Sequence, residues 1–197
     1  MAMISKKIDL VKPKNKDRRD REYLTEKEIN TLITAAKRVG RHGERDAAMI
    51  LVAYRHGLRV AELVNLKWSQ VDLSQGILHV RRLKSGVNST HSISGVVSRA
   101  LRKVQRMYPE TDFVFVSERK SPLTDHTFRK ILTRADSESG LNMSIHPHML
   151  RHSTGFKLAN DRVDTRTIQL YLGHSNIQNT VIYTQLASGA FHDLWHD

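Results

Sequence analysis

Apolar residues return at intervals of three and four along most of this chain, and at intervals of two in one stretch near its middle. TEKE at 25–28 has the form of a capping box, and Ile29, Leu32, Ile33 and Ala36 behind it predict a helix running towards Gly40. RDAAMILVAYRH (45–56) predicts a second, more buried helix, ended at Gly57 by a left-handed cap. A short third helix is expected from about Arg59. In GILHVRRLKSGVNSTHSIS (76–94) the period changes: Leu78 and Val80 alternate with Ile77 and His79, and Ser85-Gly86 offers a turn, so a β-hairpin with a basic tip is predicted. Helical spacing resumes at about 95–107 (Val97, Ala100, Leu101, Val104), 124–135 (Phe128, Ile131, Leu132, Ala135), 147–160, 165–172 and 176–184, with FVFV (113–116) read as a short strand. The fold class is therefore α+β, mostly α-helical, with a small antiparallel β-sheet or hairpin. No internal repeat or low-complexity tract is present.

Charge adds a partner to this picture. Lys and Arg number 32 against 20 Asp and Glu in 197 residues, a formal +12 that points to a polyanion. Residues 1–22 hold eight Lys or Arg and four Asp or Glu with few apolar groups, and read as a flexible basic arm or a plain disordered tail. The longest purely apolar run, about AAMILVA (47–53), is far below the ~20 residues of a membrane span. The start has no apolar region of the secretory kind, so a cytoplasmic protein away from membranes is expected. With no Cys, covalent chemistry would fall to Ser, Thr, Lys, His or Tyr.

Chemistry-bearing residues concentrate in IHPHMLRHS (145–153), where Pro147 suits a first helical turn. His148 and His152, four apart, have the spacing of a zinc pair, but Met149 stands where the metalloprotease glutamate would be and cationic Arg151 shares nearly the same face. The other reading has His148 and Arg151 converging on a phosphate, Arg with its planar fork and His able to exchange a proton near neutrality. Arg59 follows a predicted helix end, with Glu62 one turn on, an arrangement that is either an ordinary ion pair or a buttress for the guanidinium. Lys84 at the hairpin tip reaches into a groove, or joins Arg81 and Arg82 in contacts to DNA backbone. His174 and Tyr183 lie nine positions apart; a phenol with a pKa of about 10 needs a base or a strongly cationic site to attack phosphorus, and otherwise Tyr183 is a core residue.

In combination, GLRVAEL (57–63), RLKSG (82–86), HPHMLRHS (146–153) and LGHSNIQNTVIY (172–183) resemble the catalytic domain of the tyrosine recombinase (phage integrase) family, in the family's order and with its His-to-Tyr spacing. The length and the HPHMLRH wording are similar to those of the fimbrial phase-variation DNA invertases of enterobacteria. The resemblance implies the integrase-like DNA breaking-rejoining fold and a site-specific recombinase, active without metal or other cofactor. In it Arg59 and Arg151 clamp the scissile phosphate, and Lys84 is general acid to the leaving 5′ oxygen. His148 and His174 bond the phosphate and assist proton transfer, Tyr183 is the nucleophile that forms a 3′-phosphotyrosyl link, and Glu62 buttresses Arg59. Implied partners are double-stranded DNA with paired recombination sites, a homo-tetramer on that DNA, and accessory DNA-bending proteins.

The expected organisation is an arm (1–22), a catalytic domain (23–184) and a C-terminal tail (185–197). Full-length relatives carry a separate helical domain ahead of the catalytic one, whereas only about 24 residues precede the first helix here. Ala187, Ala190, Phe191, Leu194 and Trp195 give the tail an apolar helical face that needs cover, in cis or from a neighbouring protomer. Two rivals remain open: a non-catalytic DNA-binding regulator, and a metal-dependent nuclease built on Asp112, Glu118 and Lys120. In extended chain the two carboxylates would stand roughly 20 Å apart, too far to share one ion.

Overall fold

The computed structural model describes residues 21–82 and 87–185. Eight α-helices and one three-stranded antiparallel sheet make up the described residues. The first helix, α1 (Glu26–Arg38), starts as the capping box requires: Thr25 Oγ1 accepts from the Glu28 N–H and the Glu28 carboxylate accepts from the Thr25 N–H at 2.8 Å. The next, α2 (Gly43–His56), is the centre of the molecule. Buried from Ala47 to Tyr54, it packs on α1, on α4 (Gly95–Met107) and on α6 (Pro147–Asn160). A helix apolar around its circumference forms only where neighbours cover every side, and three helices do so here.

Gly57 ends α2 in the left-handed region, at φ 57°, and turns the chain into the short α3 (Val60–Val64). A 3-10 turn (Trp68–Gln70) leads to β1 (Val71–Asp72), β2 (Ile77–Val80) and β3 (Ser89–Ser92). Pairing of β2 with β3 sets Leu78 opposite His91 and Val80 opposite Ser89, with Leu78 and Val80 turned into the core as their alternation predicts. The hairpin tip, Lys84 and the Ser85-Gly86 turn included, lies outside the described residues, as do residues 1–20 and the tail from 186.

FVFV is not a strand of the sheet. Val114, Phe115 and Val116 are buried, but the chain bends at Val114 and Phe115 and makes only isolated bridges, Lys67 with Phe113 and Val116 with Pro122. Apolar content reports burial, and no partner strand is free to form a ladder. The helix expected over 124–135 is one turn longer, α5 (Asp125–Ser139), because the Asp136 carboxylate turns inward to accept the N–H groups of Met143 and Ile145 beyond the Gly140 cap. The last two residues of the expected arm are held by the fold: Glu22 pairs with His146 at 3.0 Å, and Arg21 with Glu28.

After α6 come α7 (Thr165–Leu172) and α8 (Gln178–Gln185). They cover a second, smaller apolar cluster of Phe156, Ala159, Ile168, Leu172 and Tyr183, with Tyr23 stacked on Phe156 at 3.8 Å between centroids. No described helix is long and apolar enough to cross a membrane.

Gly57 joins the two clusters: a Cβ there would stand 2.5 Å from Leu172 Cδ2 as well as occupying the left-handed region. Gly57→Ala is expected to destabilise the protein by roughly 2–4 kcal/mol, the sum of left-handed strain and overpacking, as measured by urea denaturation.

Candidate active site

A helix leaves its last carbonyls without backbone partners, and they carry the negative end of its dipole. At the end of α7 these carbonyls are taken by arginines. Tyr171 O accepts from Arg82 Nη2, Leu172 O from Arg151 Nη2 at 2.6 Å, and Gly173 O from Arg59 Nη2 at 3.3 Å. Arg151 also donates to Gly57 O, tying α6 to the end of α2. Gly173 is needed twice: its φ is 65°, and a Cβ would stand 2.5 Å from Arg82 Nε. The two glycines of GLR and LGH thus both cap helices, and Gly173 also admits the Arg82 stem.

Glu62 closes the cluster. Its carboxylate accepts from Arg59 Nη1 at 3.0 Å, from the Arg59 backbone N–H at 2.9 Å and from Arg82 Nη1 at 2.7 Å, with the Glu62 side chain only 2% exposed. Arg82, expected in contact with DNA, is instead an internal residue: its side chain is fully buried between Glu62 and the α7 terminus. It stands at the end of β2, where the alternation that buries Leu78 and Val80 also turns residue 82 inward. Arg81, one position earlier, is exposed. Three guanidiniums against one carboxylate leave two positive charges in excess. Burial first, then Arg59 and Arg82, push Arg151 down to about 9, still protonated at neutral pH but repelled in a way that a bound anion would relieve.

The Tyr183 ring packs beside this cluster and is 1% exposed. Phe156 meets it edge-on at 5.3 Å and the His174 ring lies over it at 6.3 Å. The ring fits because residue 155 has no side chain: a Cβ on Gly155 would come within 2.6 Å of it. Burial raises the Tyr183 pKa, against a smaller lowering by Arg151, so the hydroxyl is protonated in this state. That hydroxyl is 2.9 Å from Nδ1 of His152.

His174 Nδ1 and Thr180 Oγ1 are 2.9 Å apart, and the Gln169 amide donates to the His174 carbonyl at 3.0 Å, which fixes the ring over Tyr183. His148 is exposed on α6, with its ring 6.5 Å from that of His152. Its pKa is lowered by partial burial and then by Arg151. Desolvation, then the arginines, take His174 to about 3, and desolvation, then His148, takes His152 to about 4, so both are neutral at physiological pH. Arg59, Arg151, His174 and Tyr183 are therefore gathered, with Glu62 behind them; His148 lies one turn from His152, and Lys84 lies outside the described residues.

Three contributors escape a reading of the sequence alone. His152 partners Tyr183, its Nδ1 engaged with the phenolic hydroxyl rather than presented with His148 to a metal. Thr180 orients His174, and Gly155 seats the phenol. A glycine in mid-helix is itself a signal, since it costs stability unless something packs against it closely. Among the described residues no three His, Asp or Glu converge as metal ligands, and Glu118 of the nuclease reading pairs with Arg41 at 2.6 Å and His42 at 3.1 Å.

Residues 22–189 match the phage integrase family. The chain is 40% identical over 188 residues to the type 1 fimbriae regulatory protein FimB of Escherichia coli (strain K12), covering 92% of this chain and 94% of that protein. It is 40% identical over 181 residues to the FimE protein of the same strain, covering 89% and 91%. The crystal structure of XerA recombinase superposes with a TM-score of 0.75 at 31% identity, over 86% of this chain and 62% of that one.

Two outcomes follow for the site. Glu62→Gln leaves the buried Arg82 and the partly exposed Arg59 without their counter-charge and should cost about 3–5 kcal/mol in urea denaturation. His56, His91, His152 and His174 are all held neutral below the usual histidine range, at about 4, 3, 4 and 3. Between pH 6.5 and 4 the unfolded chain binds protons that the native one refuses, so stability should be full above pH 6.5 and fall as pH drops. The slope is at most about 1.4 kcal/mol per pH unit for each histidine and less for half-exposed His174, read from denaturation curves between pH 7.5 and 4.

Proposed function

This chain belongs to the phage integrase family and is a tyrosine recombinase, and on that premise we propose that Tyr183 cleaves DNA at the phosphate bound by the arginine cluster. The observation that carries the assignment is the convergence of Arg59 and Arg151 on the end of α7, two positive charges in excess, with His174 just beyond it over the Tyr183 ring. A scissile phosphodiester placed there supplies the missing negative charge, and more of it as the phosphorane forms. The Tyr183 oxygen forms a bond to phosphorus and the bond from phosphorus to the 5′ oxygen breaks. The products are a 3′-phosphotyrosyl ester and a 5′ hydroxyl protonated by Lys84. Attack by a 5′ hydroxyl of the partner strand reverses the step with the strands exchanged. Because the ester keeps the bond energy, no nucleotide is consumed.

Arg59 and Arg151 hold the phosphate, and His148 and His174 bond its oxygens. Glu62 and Arg82 set the Arg59 guanidinium. Arg81 and the basic hairpin grip the DNA backbone. The Tyr183 ring is 1% exposed, so DNA binding has to open the cover that the small cluster around it provides. The substrate is double-stranded DNA carrying paired recombination sites, joined by a homo-tetramer with DNA-bending proteins assisting. The similarity to FimB and FimE favours inversion of a chromosomal segment that controls fimbriae, in the cytoplasm.

The test is covalent trapping. A duplex carrying the sequence found by footprinting, nicked next to the cleavage position, is incubated with the protein in the presence of a chelator. A protein–DNA adduct is expected, and Tyr183→Phe should abolish it. A DNA-binding regulator would give no adduct, and a metal-dependent nuclease would give cleavage that the chelator stops. Arg59→Ala should lower adduct formation by about 10²–10³-fold while the duplex is still bound. Binding itself should weaken steeply between 50 and 200 mM salt, as roughly one counterion is released for each phosphate neutralised.

A further inference from the structure

A phenol that is to attack phosphorus has to lose its proton, and the Tyr183 ring, 1% exposed, is closed off from water. The proton therefore leaves through a neighbouring group. His174 lies over the ring, but its Nδ1 is engaged with Thr180, and Phe156 and Gly155 offer no acceptor. The side chain at hydrogen-bond distance from the hydroxyl is His152, with Nδ1 2.9 Å from the phenolic oxygen. On α6 His152 follows the phosphate-binding Arg151 directly, so the helix that holds the phosphate also holds the hydroxyl.

We propose that His152 is the general base of the cleavage step, accepting the Tyr183 proton at Nδ1 and returning it when the ester is resealed. The proposal rests on the recombinase reading above and adds a residue to its chemistry. As the Tyr183 oxygen bonds to phosphorus, its O–H pair is released to form that bond, and the proton passes to Nδ1, which carries a lone pair because the neutral ring bears its hydrogen on Nε2. His152 becomes an imidazolium, the 5′ oxygen leaves with a proton from Lys84, and both transfers reverse on ligation. The partly exposed ring of His152 connects the closed phenol to solvent. Gly155 lets the ring sit closely on α6, which keeps the hydroxyl on its acceptor.

The groups facing His152 are His148 and Arg151 from its own helix, Glu22 and His146 from the segments packed beside it, and Tyr183 from α8. Burial and the cations keep the free base available at neutral pH, with Glu22 opposing them. The imidazolium that forms is transient, and the dianionic phosphorane beside it offsets its charge.

His152→Asn tests this, because the amide oxygen occupies the place of Nδ1 and accepts the hydrogen bond without taking the proton. Single-turnover adduct formation on the nicked duplex is measured from pH 6 to 9. His152→Asn should be about 10²-fold slower than wild type at pH 7, and the deficit should shrink by about tenfold per pH unit as hydroxide replaces the base. A variant within threefold of wild type at all pH values overturns the proposal. So does one that is slow by a constant factor, since that is a loss of positioning and not of proton transfer. The wild-type protein forms its adduct in either case, so the recombinase reading stands or falls separately. A second measurement needs no variant: the ¹⁵N shifts of the His152 ring in the free protein should report a bare Nδ1 and a protonated Nε2, and a protonated Nδ1 at neutral pH overturns the assignment.

Discussion

The carbonyl end of α7 is the constraint on which the rest of the structure depends. Three arginines from three parts of the chain, at 59, 82 and 151, are too close together to be stable without shared acceptors, and successive carbonyls at 171, 172 and 173 supply them. Glu62 neutralises only part of the charge. Burying guanidiniums costs several kcal/mol each unless hydrogen bonds replace water, and helix-end carbonyls are acceptors that have no other partner. The folding consequence is that α3, the hairpin and α6 are each tied to α7. The functional consequence is a surplus of positive charge held in place before any ligand arrives, which is the form of preorganisation that stabilises a developing phosphorane.

How much of this was legible in the sequence depends on what each residue answers to. The bounds of α4, α6 and α7 follow from local spacing and caps, and the structure places them at 95–107, 147–160 and 165–172 as the pattern predicts. The sheet position of Leu78 and Val80 follows from alternation. FVFV was misread because a buried run and a paired strand share one composition, and only the absence of a neighbouring strand tells them apart. Arg82 was misread for a related reason. A basic residue near a hairpin tip suggests a DNA contact, and what overrides that is a carboxylate twenty residues earlier and a carbonyl eighty-nine residues later.

The candidate site shows the same division. Arg59, Arg151, His174 and Tyr183 could be picked out because their spacing resembles a family pattern, and Glu62 because it sits one helical turn from Arg59. His152 could be picked out only for the wrong partner: its four-residue spacing to His148 imitates a metal pair, while its actual contact is thirty-one residues away. Gly155 carries no chemistry of its own, and its role appears only when the phenol is seen against the bare backbone of α6.

The two apolar clusters divide the labour between rigidity and motion. The main core around α2 is closed on all sides and holds Leu58 and Leu63 near Arg59. Tyr183, the proposed nucleophile, belongs to the smaller cluster, made of one face of α6 with α7 and α8. A short helix such as α8, eight residues with Thr180 and Tyr183 buried, contributes little stability of its own and opens at less cost than a core helix. That asymmetry matches the chemistry. The groups that bind charge gain from being fixed, because reorganising them during the reaction would forfeit their advantage. The nucleophile is better kept closed until DNA is present, because an exposed phenol beside excess positive charge has no protection against unproductive encounters. Seating Tyr183 on α6, against Gly155 and His152, reconciles the two demands: the phenol is carried by the lightly held α8, and its contacts on α6 keep its oxygen in register with Arg151 on that helix.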